Sequence, residues 1–189
     1  MTSILDLPSI RARVSRISVD EYHRQAEHHE NGKRTELIRG IVVEKMSKSP
    51  RHEATVKRLF RLIWEAANQS HLVSKESPLT LRDSEPEPDI SVVKGREDDF
   101  TQAHPTTAAL VVEVAVSSVE EDRELSALYA EAGVEEYWIA LPADQAIEVY
   151  RQPENGRYRE MRVFAGAEVL HCQSIPSVHV NLAEVFAGL

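Results

Sequence analysis

The segment Leu110-Val111-Val112-Glu113-Val114-Ala115-Val116 decides the fold class. It is nearly continuous in apolar, mostly β-branched residues, the pattern of a strand covered on both faces. Downstream, Ser118 with Glu121 resembles a capping box. The residues after it place Leu125, Leu128, Tyr129 and Ala132 on one helical face and stop at Gly133. Tyr137 to Leu141 then reads as another core strand. Upstream lie a charged loop over 95–107, a strand at Ile90 to Val93, and a polar loop from Asp83 to Pro88 with two prolines. Leu72 to Lys75 and Leu79 to Leu81 read as short strands.

Further out, Ser49 and Pro50 supply a cap and a first-turn proline for a long helix. Val56, Leu59, Phe60, Ile63, Ala66 and Ala67 form its apolar stripe. Thr35 to Arg39 and Ile41 to Met46 read as two strands turning at Gly40. A first helix opens at Ser18 with Glu21 three residues on. Ala146 to Tyr150 and Tyr158 to Phe164 suit a hairpin around Glu154-Asn155-Gly156, and a short helix over Leu182 to Phe186 ends the chain. Helices inserted among strands in this way predict an α/β (α+β) sheet domain over residues 18–189, preceded by an arm over residues 1–17 carrying Arg11, Arg13 and Arg16.

The chain has 189 residues, enough to bury a core without staples. Cys172 is the one cysteine, which excludes an intrachain disulfide and a cysteine-based zinc cluster. The first eight residues lack a basic-then-apolar signal pattern. The longest apolar run, near Ala108 to Val116, falls far short of the ~20 residues of a membrane helix. The expected location is therefore cytoplasmic, with no membrane partner. A net charge of −9 argues against a strongly basic nucleic-acid binder. Charge is nonetheless unevenly spread. Lys45, Lys48, Arg51, Lys57, Arg58 and Arg61 form a basic belt, and residues 120–136 are rich in acids. Both runs also suit solvated helix faces.

Glu113 asks for an explanation, because a charge inside a covered strand is costly unless it is paired or holds a metal. Asp89 makes a similar case at the start of the Ile90 strand. Two acids on neighbouring strands repel each other, and a hard divalent cation such as Mg²⁺ resolves that repulsion. The alternatives are an arginine partner or a helix cap for Glu113, and a turn role for Asp89. Alternation puts Glu36 on the face of Ile38, inward or at an edge. His52 lies in the first turn of the long helix, either at the surface or against a phosphate. The other histidines, including His71, His104, His171 and His179, lack metal-ligand spacing, and there is no P-loop, G-x-G-x-x-G, H-E-x-x-H or G-x-S-x-G pattern.

The segments "RTELIRGIVVEKMS", "SPRH", "SEPEPDISVVKG", "LVVEVAVSS", "DREL", "LYAEAGVEEYWI" and "IEVYR", in this order, resemble the Uma-type restriction endonuclease family of the PD-(D/E)XK nuclease superfamily. The resemblance covers roughly residues 18–187. It implies a restriction-endonuclease-like fold, a central mixed β-sheet flanked by helices. It also implies a Mg (or Mn) site held by Asp89, Glu113 and the Val114 carbonyl, with Glu36 helping to hold metal or water. The implied chemistry is hydrolysis of DNA by metal-activated water, with Arg51, His52, Lys57, Arg58 and Arg61 as candidate phosphate contacts. A homodimer is expected by analogy, since a two-fold pair of sites suits cutting two strands.

The sequence departs from the family pattern at the lysine. The position two residues after Glu113 is Ala115, and the alternative position four residues before Tyr129 is Leu125. No lysine follows Lys94. The missing ammonium would orient the attacking water and offset charge. Arg123 is the nearest cation in sequence and a poor substitute, which leaves Lys94 or Lys45 to reach in from a neighbouring strand. Three functions remain: a metal-dependent endonuclease, a catalytically degenerate nuclease fold that binds nucleic acid or protein, or an unrelated hydrolase.

Overall fold

The structure is a computed structural model that describes residues 8–11, 13–26 and 35–189. The arm's Arg13 and Arg16 fall among these; the expected helix from Ser18 is described as far as Ala26. The chain divides into two compact units, residues 1–45 with 82–86, and residues 46–81 with 87–189.

In the first unit, α1 (Pro8–Arg11) and α2 (Val19–Ala26) precede the hairpin of β1 (Thr35–Ile38) and β2 (Ile41–Glu44). The capping box forms as expected: Glu21 accepts from the Ser18 amide at 2.8 Å, and the Glu21 amide donates to Ser18 Oγ at 3.2 Å. Arg39 and Gly40 both have positive φ, 52° and 77°, which is what a two-residue hairpin turn requires. A Cβ on Gly40 would lie 2.8 Å from that of Arg16, so glycine is needed there for space as well. The segment 82–86 belongs to this unit through Gly40 N to Asp83 O at 2.8 Å and Glu85 N to Leu37 O at 2.7 Å.

The second unit is built on a six-stranded mixed sheet in the order β3-β4-β5-β6-β7-β8. These are β3 (His71–Lys75), β4 (Ile90–Lys94), β5 (Leu110–Val114), β6 (Glu136–Leu141), β7 (Ala146–Glu154) and β8 (Arg157–Ala165). Every neighbour pair is antiparallel except β5 and β6. That parallel pair is joined by α4 (Val119–Glu131), as a crossover requires. The covered-strand reading of the opening segment holds, since Leu110, Val111 and Val112 have no exposed surface.

The other long helix, α3 (Pro50–Ala66), starts as the sequence indicated. Ser49 Oγ accepts from the His52 amide at 3.2 Å, and Pro50 opens the first turn. Its Val56, Leu59 and Ile63 join Val92, Leu110, Val112, Val114, Trp138 and Ala140 in one core. The opposite face of β6 meets α4, where the Tyr129 and Tyr137 rings lie 4.9 Å apart and Tyr137 donates to the Asp122 carbonyl. Helices therefore flank a central mixed sheet, as predicted. The β7–β8 hairpin turns through Asn155 and Gly156, both at positive φ. A small ribbon of β9 (Val169–His171) and β10 (His179–Asn181) follows, and α5 (Leu182–Phe186) ends the unit.

Two local expectations fail. Leu79 to Leu81 form no strand; Pro78 offers no amide to a ladder, and the Thr80 amide instead donates to Pro105 O at 2.9 Å. Both leucines are still buried. At α4 the Ser118–Glu121 capping box does not form. The Ser118 hydroxyl donates instead to Asp122 Oδ2 at 2.7 Å, one residue further along. Among the described residues no helix is long and apolar enough to cross a membrane.

Candidate active site

Asp89 and Glu113 meet because of strand register. Ile90 pairs with Val112 and Ser91 with Val111 in the β4–β5 ladder. One further step of that register sets Asp89 across from Glu113. Pro88 before Asp89 has a locked φ and offers no amide to the ladder, so the strand begins after it. At this end of the ladder the two acids take over the role of backbone acceptors. The Asp89 amide donates to Glu113 Oε2 at 3.1 Å, and the Val114 amide donates to Asp89 Oδ2 at 2.8 Å. Each carboxylate thereby holds the other's strand.

Lys48 and His52 complete the cluster. Lys48 Nζ lies 2.6 Å from Asp89 Oδ1 and 2.5 Å from Glu76 Oε1. His52 Nε2 lies 2.9 Å from Asp89 Oδ2. Asp89 is 5% exposed. Burial pushes its carboxyl up, but the His52 and Lys48 donors outweigh it and hold the group below the usual aspartate range. Burial also opposes the charge on Lys48, and there the Asp89 and Glu76 carboxylates win, holding it above the usual lysine value. Glu113 is half-buried and accepts at Oε1 from the Tyr129 hydroxyl at 2.9 Å. The neighbouring Asp122 behaves oppositely. Burial, helped by the Asp89 and Glu121 charges, raises it to about 6 against the pull of its Ser118 hydrogen bond.

The ammonium missing from the expected positions is thus present on a different element. Lys48 reaches Asp89 from the segment just before α3, 41 residues away in sequence. The two lysines anticipated from neighbouring strands do other things. Lys94 pairs with Glu135 at 2.7 Å in solvent, and Lys45 pairs with Glu36 at 2.9 Å. Arg123 is held by Glu148 and Glu120. Leu125 is half-buried on α4 and Ala115 is buried.

The remaining expected residues divide. His52 joins the cluster, its Nδ1 buried without a hydrogen-bond partner. Glu36 belongs to the first unit, where Lys45 is its ion partner. Arg58 donates to the carbonyls of Val185 and Ala187 at 2.9 and 2.7 Å, closing the end of α5. Arg61 pairs with Glu184 at 2.7 Å and Glu65 at 3.4 Å, Lys57 lies 3.8 Å from Glu53, and Arg51 is exposed. Lys48, Glu76, Asp122 and Tyr129 were not singled out as site residues. Lys48 stood in the basic belt, and no local spacing tied it to Asp89.

Asp89, Glu113 and the Val114 carbonyl are hard oxygen donors of the kind Mg²⁺ takes. As they stand, among the described residues no group of three or more His, Cys, Asp or Glu is placed to hold a metal. The reason is visible at Asp89, where Lys48 and His52 already take both oxygens. The donor set fits a metal in kind, and Asp89 Oδ1 is the oxygen that Lys48 occupies.

Residues 19–183 match a family described as "Uma2: Putative restriction endonuclease". No curated protein matches the chain. A crystal structure from Anabaena variabilis ATCC 29413, of "a putative nuclease belonging to DUF820", superposes with a TM-score of 0.76. It is 21% identical, and the match covers 90% of this chain and 98% of that one. At that identity the likeness speaks for the fold.

Proposed function

The chain belongs to the Uma2 family of restriction-endonuclease-like proteins, and from that premise we propose that it is a Mg²⁺- or Mn²⁺-dependent endonuclease hydrolysing DNA phosphodiester bonds. The observation that carries the reading is the pairing of Asp89 and Glu113 across two strand ends with an ammonium, Lys48, on the first of them. This is the charge set that phosphodiester hydrolysis needs, two acids for a metal and one cation for the water or the transition state.

In this mechanism Asp89, Glu113 and the Val114 carbonyl would hold the metal, which would supply an activated water and offset charge on the phosphoryl group. Lys48, tethered by Glu76, would present its ammonium to the attacking water or a phosphate oxygen. Tyr129 orients Glu113 through its hydroxyl, and His52 keeps Asp89 ionised. Arg51 at the start of α3 and Lys57 further along it are the proposed phosphate contacts, while Arg58 and Arg61 act mainly on α5. A pair of chains would supply one site for each DNA strand.

The saturation of Asp89 by Lys48 and His52 favours a second reading, a degenerate nuclease fold that binds nucleic acid without cutting. Plasmid cleavage separates the two. The expected result is Mg²⁺- or Mn²⁺-dependent nicking or linearisation by the wild type, lost in Asp89→Ala and Glu113→Ala. Salt-sensitive DNA binding with no cleavage in either metal would establish the second reading instead.

A further inference from the structure

The outer edge of β8 presents nine residues, Arg157-Tyr158-Arg159-Glu160-Met161-Arg162-Val163-Phe164-Ala165, and among the described residues no strand pairs with it. Open edges are normally kept short, charged, twisted away or covered, because their free amides and carbonyls invite another strand. This one also exposes two large apolar side chains, Met161 at 56% and Val163 at 48%. They lie on one face, since residues of like parity share a side of a strand.

We propose that β8 is the interface with a second copy of this chain, the two β8 strands pairing antiparallel about a two-fold axis at Met161, so that two six-stranded sheets run into one. The register follows from symmetry and charge. In an antiparallel ladder the outward-facing hydrogen-bonding groups recur at every second residue, so paired residues share parity and their numbers sum to an even value. A two-fold axis must then pass through one residue and its own copy. An axis at Glu160 sets glutamate against glutamate, and one at Arg159 or Arg162 sets arginine against arginine. An axis at Met161, where paired numbers sum to 322, does neither and overlaps the full strand.

That register is complementary along its length. Glu160 faces the second copy's Arg162, and by symmetry the pair occurs twice. Tyr158 meets Phe164, and the exposed Val163 lies on the aliphatic stem of Arg159. Met161 covers itself. The arginines never face one another: Arg157 opposes Ala165 and Arg159 opposes Val163. Existing contacts survive, because Arg159 keeps Glu154 and Arg162 keeps Glu168 as ion partners within the chain. One strand pair buries a modest area, so the dimer is expected to be weak, dissociating at roughly micromolar concentration.

This deepens the two-copy reading of the proposed function and rests on it. Sedimentation of the full chain reports how many copies associate, and single cysteines report which edge meets which. Met161→Cys is expected to form a disulfide-linked dimer on mild oxidation, since directly opposed side chains lie within reach. Val163→Cys is expected not to, because its own copy is four residues along the ladder, roughly 13 Å away. Cys172 is buried and its thiol is pushed up to about 12, so it stays out of the reaction. Glu160→Arg and Arg162→Glu should each weaken the dimer about tenfold, and the double exchange should restore it. Circular dichroism confirms that each variant is folded. A chain that stays monomeric at about 100 µM, roughly a hundredfold above that micromolar range, refutes both the interface and the two-copy reading. A dimer in which Val163→Cys links as well as Met161→Cys, or which ignores the charge exchange, refutes the interface alone.

Discussion

Lys48→Met should do two things that pull in opposite directions. The methionine keeps the aliphatic stem and removes the ammonium that sits 2.6 Å from Asp89 Oδ1. A hydrogen bond between charged partners is worth about 1.5–3 kcal/mol. In the proposed mechanism an incoming metal must displace that bond before it can use Oδ1. Removing it should therefore tighten Mn²⁺ binding by about 10- to 100-fold, taking 1.4 kcal/mol per factor of ten. The same substitution removes the only cation assigned to the chemical step, so cleavage at saturating metal should fall by roughly 10²–10³. Titration calorimetry with Mn²⁺ gives the first quantity and single-turnover plasmid nicking the second. The protein should stay folded, because Asp89 keeps His52 and the Val114 amide as donors. Unchanged or weaker Mn²⁺ binding in the folded variant would refute the competition between lysine and metal. Undiminished cleavage would refute the role given to Lys48.

Three further predictions concern stability. Glu136 is buried under donors from Arg151, Trp138 and the amides of Gln173 and Ser174, so Glu136→Leu, which strands the Arg151 charge, should cost about 3–5 kcal/mol in urea unfolding. Asp122 has its folded pKa raised to about 6, so the folded state holds the extra proton and stability should fall as pH rises from about 4 through 6. Asp122→Asn should remove that slope, leaving the variant the more stable of the two at pH 8 by thermal melting. Glu148, lowered chiefly by its Arg123 hydrogen bonds, has the opposite sign: its contribution is present at neutral pH and is lost as pH falls through the acid range, and Glu148→Gln should flatten that limb.

The elements that could be read from sequence were those whose signals are local. The β5 segment announced its two-sided burial by composition alone, and α3 by a cap, a proline and an apolar stripe. The Asn155-Gly156 turn fixed the last hairpin. Leu79 to Leu81 misled because three apolar residues carry burial but not ladder bonding. Ser118 misled because two acids, Glu121 and Asp122, competed for one hydroxyl. The strands β9 and β10 escaped because each has a single buried residue, Leu170 and Val180, too few to show a period. In the candidate site the acids were visible because a charge in an apolar strand is anomalous wherever it occurs. Lys48 was not, because a lysine in a basic run looks like solvated surface until the chain closes 41 residues onto Asp89. The register that sets Asp89 against Glu113 is likewise a property of two strands together, and neither strand states it alone.

The crossed hydrogen bonds at that pair bear on how such a chain changes over generations. Asp89 and Glu113 each receive a backbone amide from the partner strand, so a chain that loses either acid also loses a fastening of its sheet. Selection for a folded protein would then preserve both residues in a lineage that had stopped cutting DNA. The lysine carries no comparable scaffold duty on the backbone, so it is free to drift or relocate. Under the proposed mechanism, a survey of descendants that tracked the acids would count silent members as active ones, and the residue at position 48 would be the more discriminating record.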